Sequence, residues 1–111
     1  MAVYIGDLFL RLNGVTYLTP TMPRGGLRGT WLFQLLDLTG TGVVVTVEHK
    51  NEEDTTFLPL ASTTLTVIGS TPIRIDASGV KEQWRITYVV NGAAPTDAAY
   101  VNTLAPSWSQ Y

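Results

Sequence analysis

Apolar and polar residues alternate most regularly over residues 71–90. Ile73 and Ile75 alternate with charged residues, and after a turn-like Ala-Ser-Gly at residues 77–79 a second alternating run begins at Trp84. Successive side chains of a strand point to opposite faces, so strict alternation places one face in a core and the other in water. We therefore predict two antiparallel strands joined by a short connection, with Trp84 at the centre of the core.

Shorter runs of the same kind follow one another along the chain. The pair Asn13-Gly14 separates two apolar runs, and both central residues of a type I′ turn need positive φ, so we predict a hairpin over residues 8–18. Further strands are predicted over residues 30–38, 43–49, 55–60 and 62–68. Residues 95–100 favour a short helical turn with Thr96 as its cap.

The number and spacing of these runs define the predicted fold. Seven to nine short strands with turn signals about every ten residues are typical of an antiparallel β-sandwich or a jelly roll. We predict an all-β, jelly-roll-like sandwich that forms a single domain over residues 1–111, because a chain of this length forms one core. Residues 1–7 and 93–111 contain apolar and aromatic side chains and are interpreted as packing arms.

Residues 19–29 (TPTMPRGGLRG) form the longest irregular stretch. A glycine-rich loop that carries arginines, here Arg24 and Arg28, can hold a phosphate through its backbone N–H groups. The spacing matches neither a P-loop nor a dinucleotide-binding fingerprint, and no helical pattern follows it. We interpret the stretch as a long surface loop.

The strand predicted over residues 30–38 is apolar on both faces. Its inner face carries Trp31, Phe33 and Leu35. Its outer face carries Leu32, Leu36 and Leu38 beside a single glutamine. The outer face of a two-layer sandwich is normally wet, so either a loop of the chain or another subunit covers these leucines. With the chain ends, the candidate interface residues are Val3, Tyr4, Ile5, Leu32, Leu36, Leu38, Trp108 and Tyr111.

Composition narrows the classes of function. The chain has no cysteine, which removes thiol catalysis and thiolate metal sites. A net charge of −2 without clustered lysine and arginine argues against nucleic acid and membrane surfaces as partners. With 14% charged and 45% apolar residues, the chain has either a permanent interface or a threonine-rich surface around a well-packed core. Neither a signal peptide nor an apolar run of about 20 residues is found, so a soluble protein made in the cytoplasm is predicted.

Candidate catalytic and metal-binding residues are few. His49 is the only histidine and lies beside a polar turn, so it is predicted at the surface, and it leaves a zinc site short of ligands. The acidic residues within 48–54 offer oxygens to calcium but lack the spacing of an EF-hand loop. No nucleophile elbow is present, and no pattern brings two carboxylates across a cleft. We predict no catalytic residue, no metal, no cofactor and no enzymatic activity.

Three tryptophans raise a second class of function, because lectin modules of the β-sandwich type stack sugars on exposed aromatic rings. Trp31 and Trp84 lie in phase with core residues and are predicted to be buried. Trp108 is then the free platform, with Tyr100 and Tyr111 as further candidates. A carbohydrate-binding module is therefore the alternative function.

The nearest element to a signature is RIDASGVKEQWRITYVV at residues 74–90, a strand-turn-strand that many sandwich proteins share. With its short length, many threonines and valines, few charges, Pro/Gly-rich loop and apolar ends, the whole chain resembles the small capsid decoration or cement proteins of bacteriophages. The resemblance implies a non-enzymatic β-sandwich of the virion that forms dimers or trimers and binds the major capsid protein. A phage tail or connector component is a near variant, and no residue role follows from the resemblance.

Overall fold

A computed structural model describes residues 8–13, 16–69, 72–91 and 98–110 of the chain. These residues form nine strands, β1 (Leu8–Asn13), β2 (Thr16–Leu18), β3 (Met22–Pro23), β4 (Arg28–Thr39), β5 (Gly42–Lys50), β6 (Leu58–Leu65), β7 (Ile73–Ser78), β8 (Gln83–Asn91) and β9 (Ala98–Ser109). The first sheet has the order β1-β9-β4-β7, and the second has the order β2-β8-β5-β6 with β3 also paired to β8. All pairs are antiparallel.

The strand pairs are nested like the two sides of one long hairpin. β5 pairs with β6, β4 with β7, the short strands β2 and β3 with β8, and β1 with β9. The ribbon is coiled so that β9 also lies beside β4 and β8 beside β5, which closes the two sheets. This nested, coiled order is that of a jelly roll, and it confirms the predicted all-β sandwich.

The hairpin predicted over residues 8–18 is wrong, and the two strands predicted over residues 71–90 are present but do not pair with each other. β1 and β2 flank the Asn13-Gly14 signal but lie in different sheets, and so do β7 and β8. In a jelly roll most sequential strands are joined across the sandwich, because each strand pairs with its nested partner far along the chain. A turn signal therefore marks where the chain changes direction, without identifying the strand that it pairs with.

The alternation predicted for the core is confirmed. Trp31 and Phe33 of β4 are fully buried and face Trp84 and Tyr88 of β8 across the sandwich. β5 contributes its valines to the same core, with Val43, Val45 and Val47 all buried. Trp84 is 1% exposed and contacts two other indole rings, in agreement with its predicted place at the centre.

β9 is the element that sequence reasoning missed. Residues 98–100, predicted as helical, belong to this twelve-residue strand, and residues 95–97 lie outside the described part of the chain. β9 lies between β1 and β4, so most of the arm predicted over residues 93–111 is a central strand. Its inward side chains include Ala99 and Thr103, which are small or polar, so the alternation of apolar and polar residues is not visible in the sequence. The Thr103 hydroxyl lies 2.6 Å from the Tyr88 hydroxyl, which satisfies both groups inside the core.

β6 replaces the two strands predicted over residues 55–60 and 62–68. Pro59 is accommodated because β6 is an edge strand and its register with β5 shifts at this position. The strand ends at Leu65, so Val67, which falls within the strand predicted over residues 62–68, lies beyond β6 and is 76% exposed.

Residues 19–29 lie mostly at the surface, as predicted, but they include β3 and are tied to β8 and its preceding turn by hydrogen bonds. Pro23 pairs with β8, and its carbonyl accepts a 3.0 Å hydrogen bond from the Trp84 indole N–H. The backbone N–H of Arg24 donates to Glu82, and its guanidinium donates to the carbonyl of Val80 at 2.6 Å. These N–H groups already donate to carbonyls of the chain, so they are not free to bind a phosphate.

Glycine at position 29 is required by the indole rings that pack on it. A Cβ atom at Gly29 would lie 2.5 Å from a ring carbon of Trp31 and 3.0 Å from one of Trp108. We expect Gly29→Ala to lower the free energy of unfolding by about 1–3 kcal/mol, the usual effect of overpacking. Urea unfolding followed by tryptophan fluorescence measures the change.

Gly69→Ala is the matched control, because no atom of the described residues lies within 4 Å of the Cβ that it would add. This variant is expected to stay within about 0.5 kcal/mol of the unmodified protein. Equal unfolding midpoints for the two variants would contradict the close packing at Gly29.

Candidate interaction surface

The structure places half of the predicted interface residues. Four of them lie outside the described residues: Val3, Tyr4, Ile5 and Tyr111. The other four are distributed over β4 and the end of β9, and they do not form one surface.

The three leucines of β4 point in different directions. The register between β4 and β9 shifts between Leu35 and Asp37, and this irregularity changes the phase of the strand. Leu32 is half-buried on the outer face of the first sheet, whereas Leu38 packs against the core. Leu36 remains 41% exposed. The single apolar outer face predicted for these residues is therefore wrong.

The surroundings of Leu32 are mostly polar. Leu32 lies opposite Leu104 on β9, and this pair is flanked by a hydrogen bond from the Asn102 amide to the Gln34 side chain. On the other side, Leu32 lies opposite Arg74 of β7. Around Leu32, the side chains that the structure describes on this outer face therefore form one apolar pair, Leu32 and Leu104, with polar neighbours.

An ion pair borders this outer face on β7. The Nε atom of Arg74 lies 2.8 Å from a carboxylate oxygen of Asp76, and the Thr30 hydroxyl donates to the same side chain. The hydrogen bond from Thr30 and then the one from Arg74 hold the pKa of Asp76 below its usual value. Asp76 is thus a charged group at neutral pH.

Exposed apolar side chains occur on β4, on the chain between β6 and β7, and at the start of β7. We call four of them together the Leu36 patch: Leu36 (41% exposed), Val67 (76%), Ile68 (52%) and Ile73 (38%). The backbone N–H of Gly69 donates to the carbonyl of Leu35 at 3.1 Å, which holds the connection beside β4. Of these four residues, the sequence analysis named only Leu36 as an interface residue. It predicted a strand over residues 62–68, whereas β6 ends at Leu65.

Trp108 is not the free platform that the sequence predicts. Its ring is half-buried, with centroids 5.5 Å from Trp31 and 5.9 Å from Trp84. The backbone of Gly25 lies against the same indole, so that a Cβ there would stand 2.5 Å from a ring atom. The ring thus packs on two other indoles and on the backbone at Gly25. Trp31 and Trp84 are buried as predicted.

His49 is buried, and its predicted surface position is wrong. The residue lies on β5 opposite Trp84 and is 8% exposed. Its Nδ1 atom accepts a 3.1 Å hydrogen bond from the backbone N–H of Lys81. Burial lowers the pKa of His49, and the positive charge of Lys81 lowers it further. His49 is therefore a neutral imidazole that holds the backbone at Lys81, which is a structural role.

The acidic residues at this end of the sandwich also make structural contacts. Glu48 accepts hydrogen bonds from Arg85 at 2.8 Å and from the Thr87 hydroxyl at 3.0 Å. Asp54 accepts one from the backbone N–H of Asn51. Among the described residues, no three histidines or carboxylates come together as a possible metal site. The same residues contain no helix long and apolar enough to span a membrane.

No protein-family model matches this chain, and no curated protein matches it either.

Protonation of His49 is expected to destabilise the fold. The pKa of the unfolded residue is 6.5 and the folded value is lower, so the unfolded chain binds more protons between the two values. The contribution of His49 to stability is complete above the unfolded value and is lost as the pH falls through the folded one. We expect the free energy of unfolding to fall between about pH 7 and pH 5, as measured by urea unfolding.

His49→Asn supplies the control, because its side-chain oxygen can accept the Lys81 N–H without titrating. Its free energy of unfolding should depend less on pH over the same interval, since the carboxylates titrate equally in both proteins. Identical slopes would show that His49 does not carry the dependence.

Proposed function

We propose that this chain is a non-enzymatic structural protein of a virion, a capsid decoration protein that binds a major capsid protein and further copies of itself. The Leu36 patch carries the proposal. Its members include an isoleucine and a valine that are each at least half exposed on a connection fixed to β4 by the Gly69 hydrogen bond. Exposed apolar surfaces of this kind are typical of protein contacts.

The fold supports a passive role of this kind. The core is filled by large side chains from both sheets, and the long stretch at residues 19–29 is tied to β8 by backbone and side-chain hydrogen bonds. A decoration protein stabilises a shell through the surface area that it buries, and this role requires no conformational change. Burial of one large aliphatic side chain contributes roughly 1.5–3 kcal/mol, and the shell repeats the contact at every copy.

The polar groups support the same class of function. The histidine and the carboxylates near it hold turns and a strand pair, and Trp108 packs on the core. The contacts of Trp108 weaken the carbohydrate-binding alternative, which depended on a free ring. In the virion, the Leu36 patch would contact other proteins at the junctions between capsomers.

The chain ends are part of the proposal. Val3, Tyr4 and Ile5 at one end and Tyr111 at the other are apolar or aromatic, and we assign them to contacts with neighbouring subunits. A tail or connector component would use the same kinds of contact. Identification of the protein that the chain binds therefore distinguishes a shell, a tail and a connector component.

Removal of apolar area from the Leu36 patch should weaken capsid binding. The measurement is co-sedimentation of the purified chain with shells of the major capsid protein encoded by the same genome. We expect Leu36→Ser and Ile68→Ser each to raise the dissociation constant about tenfold, since about 1.4 kcal/mol of lost burial corresponds to that factor.

Leu58→Ser is the matched control for these variants. Leu58 is 50% exposed but lies at the other end of β6, opposite His49. Binding should be unchanged in this variant. If the unmodified chain binds neither shells, tails nor connectors, the proposal fails; if it binds only tails or connectors, the decoration role is replaced by the near variant.

A further inference from the structure

β7 is an edge strand with one side open. It is the last strand of the first sheet and pairs with residues 28–33 of β4. Within the part of the chain that the structure describes, no strand pairs with its other side. The backbone N–H and C=O groups of an edge strand form a template on which another strand can pair.

The charges of β7 are self-complementary. Arg74 and Asp76 stand on either side of Ile75, and both side chains belong to the outer face of the sheet. If a second β7 strand pairs antiparallel with Ile75 at the centre, position 74 of each copy lies opposite position 76 of the other. Each arginine then faces a carboxylate of the other copy, which stabilises a strand pair, whereas like charges destabilise it.

The same charges disfavour neighbouring registers. A pairing centred on Arg74 would place two guanidinium groups opposite each other, and one centred on Asp76 would oppose two carboxylates. A parallel pairing in register would bring like charges together at both positions. The charge pattern thus selects one register and one direction.

We propose that two copies of this chain pair through β7 in this register, about a twofold axis at Ile75, so that the two first sheets become one continuous sheet. Such an interface is isologous, because each copy presents the same strand to the other. On the inner face, Ile73 lies opposite Ala77 of the second copy. The 38% of Ile73 that is exposed gains an apolar neighbour in this way.

The other edge strands do not offer this complementarity, and β2 carries no charged residue at all. β6 carries Pro59 and a shift of register, and β3 ends at Pro23, and both features oppose strand addition. β1 has a single charged residue, Arg11, and therefore has no opposite charge to present. β7 contains no proline.

In the proposed decoration protein, this pairing is the contact between copies, so its biological role rests on the proposed function. The geometry of the pairing is argued from β7 alone. A dimer that binds no shell would remove the decoration role and keep the pairing. A monomer that binds shells would do the reverse.

Exchange of the two charges tests the register. Arg74→Asp places carboxylates at both positions, and Asp76→Arg places guanidinium groups at both. We expect the unmodified chain to be a dimer by analytical ultracentrifugation and each single variant to dissociate roughly tenfold or more readily, because both cross-strand pairs become repulsive. An equimolar mixture of the two variants should form a heterodimer, and the double exchange Arg74→Asp/Asp76→Arg should restore the homodimer.

Two controls separate pairing from damage to the fold. Glu53→Arg makes the same change of net charge as Asp76→Arg at an exposed residue of the turn after β5, and it should remain dimeric. Urea unfolding of every variant accounts for the intrachain ion pair that the single exchanges remove.

A chemical cross-link gives a second measurement, because the chain has no cysteine of its own. Arg74→Cys mixed with Asp76→Cys should form a disulfide between copies in higher yield than either variant alone, since directly opposed positions have the short Cβ separation that a disulfide needs. An unmodified chain that is monomeric, single exchanges that remain fully dimeric, or a mixture that fails to associate would each overturn the proposal.

Discussion

The contact between Trp31 and Trp84 joins the two sheets, and the rest of the structure is arranged around it. The two rings meet edge to face with centroids 5.7 Å apart, one from β4 and one from β8. Trp108 closes the cluster, and glycines at residues 25 and 29 let the backbone approach the rings. Among the described residues the Trp31 indole N–H has no hydrogen-bond partner. Dense aromatic packing at this point therefore outweighs the cost of one unpaired polar group.

The sequence predicted the strands better than their partners. Alternation around Trp31, Val45 and Trp84 depends only on which face of a strand is buried, and that information is local. Pairing is not local here, because the jelly roll joins strands as distant as β1 and β9. The Asn-Gly pair at residues 13–14 thus looks like a hairpin although its two flanking strands enter different sheets. β9 was missed because Ala99 and Thr103 occupy inward positions that hydrophobicity does not mark.

The candidate surface was less predictable for a related reason. The phase of β4 changes at an irregularity between Leu35 and Asp37 that exists only because β9 is its neighbour. No pattern within β4 could therefore separate Leu36, which is exposed, from Leu38, which packs on the core. Ile68 lies beyond the end of β6, where periodicity carries no information. Burial of His49 likewise follows from the Lys81 turn that folds over it.

The β7 pairing and the Leu36 patch constrain each other's geometry. The patch lies at the end of β7 where Ile73 begins the strand, beside the Leu35 carbonyl that holds Gly69. In an antiparallel pair the two strands begin at opposite ends, so the two patches of the proposed dimer lie at opposite ends of the paired strands, and Ile73 of each patch belongs to the dimer contact. The rest of each patch then stays on its own side of the twofold axis. In the proposed decoration role, such a pair would offer one apolar surface to each of two neighbouring shell subunits, so the two proposals describe different parts of the same molecule.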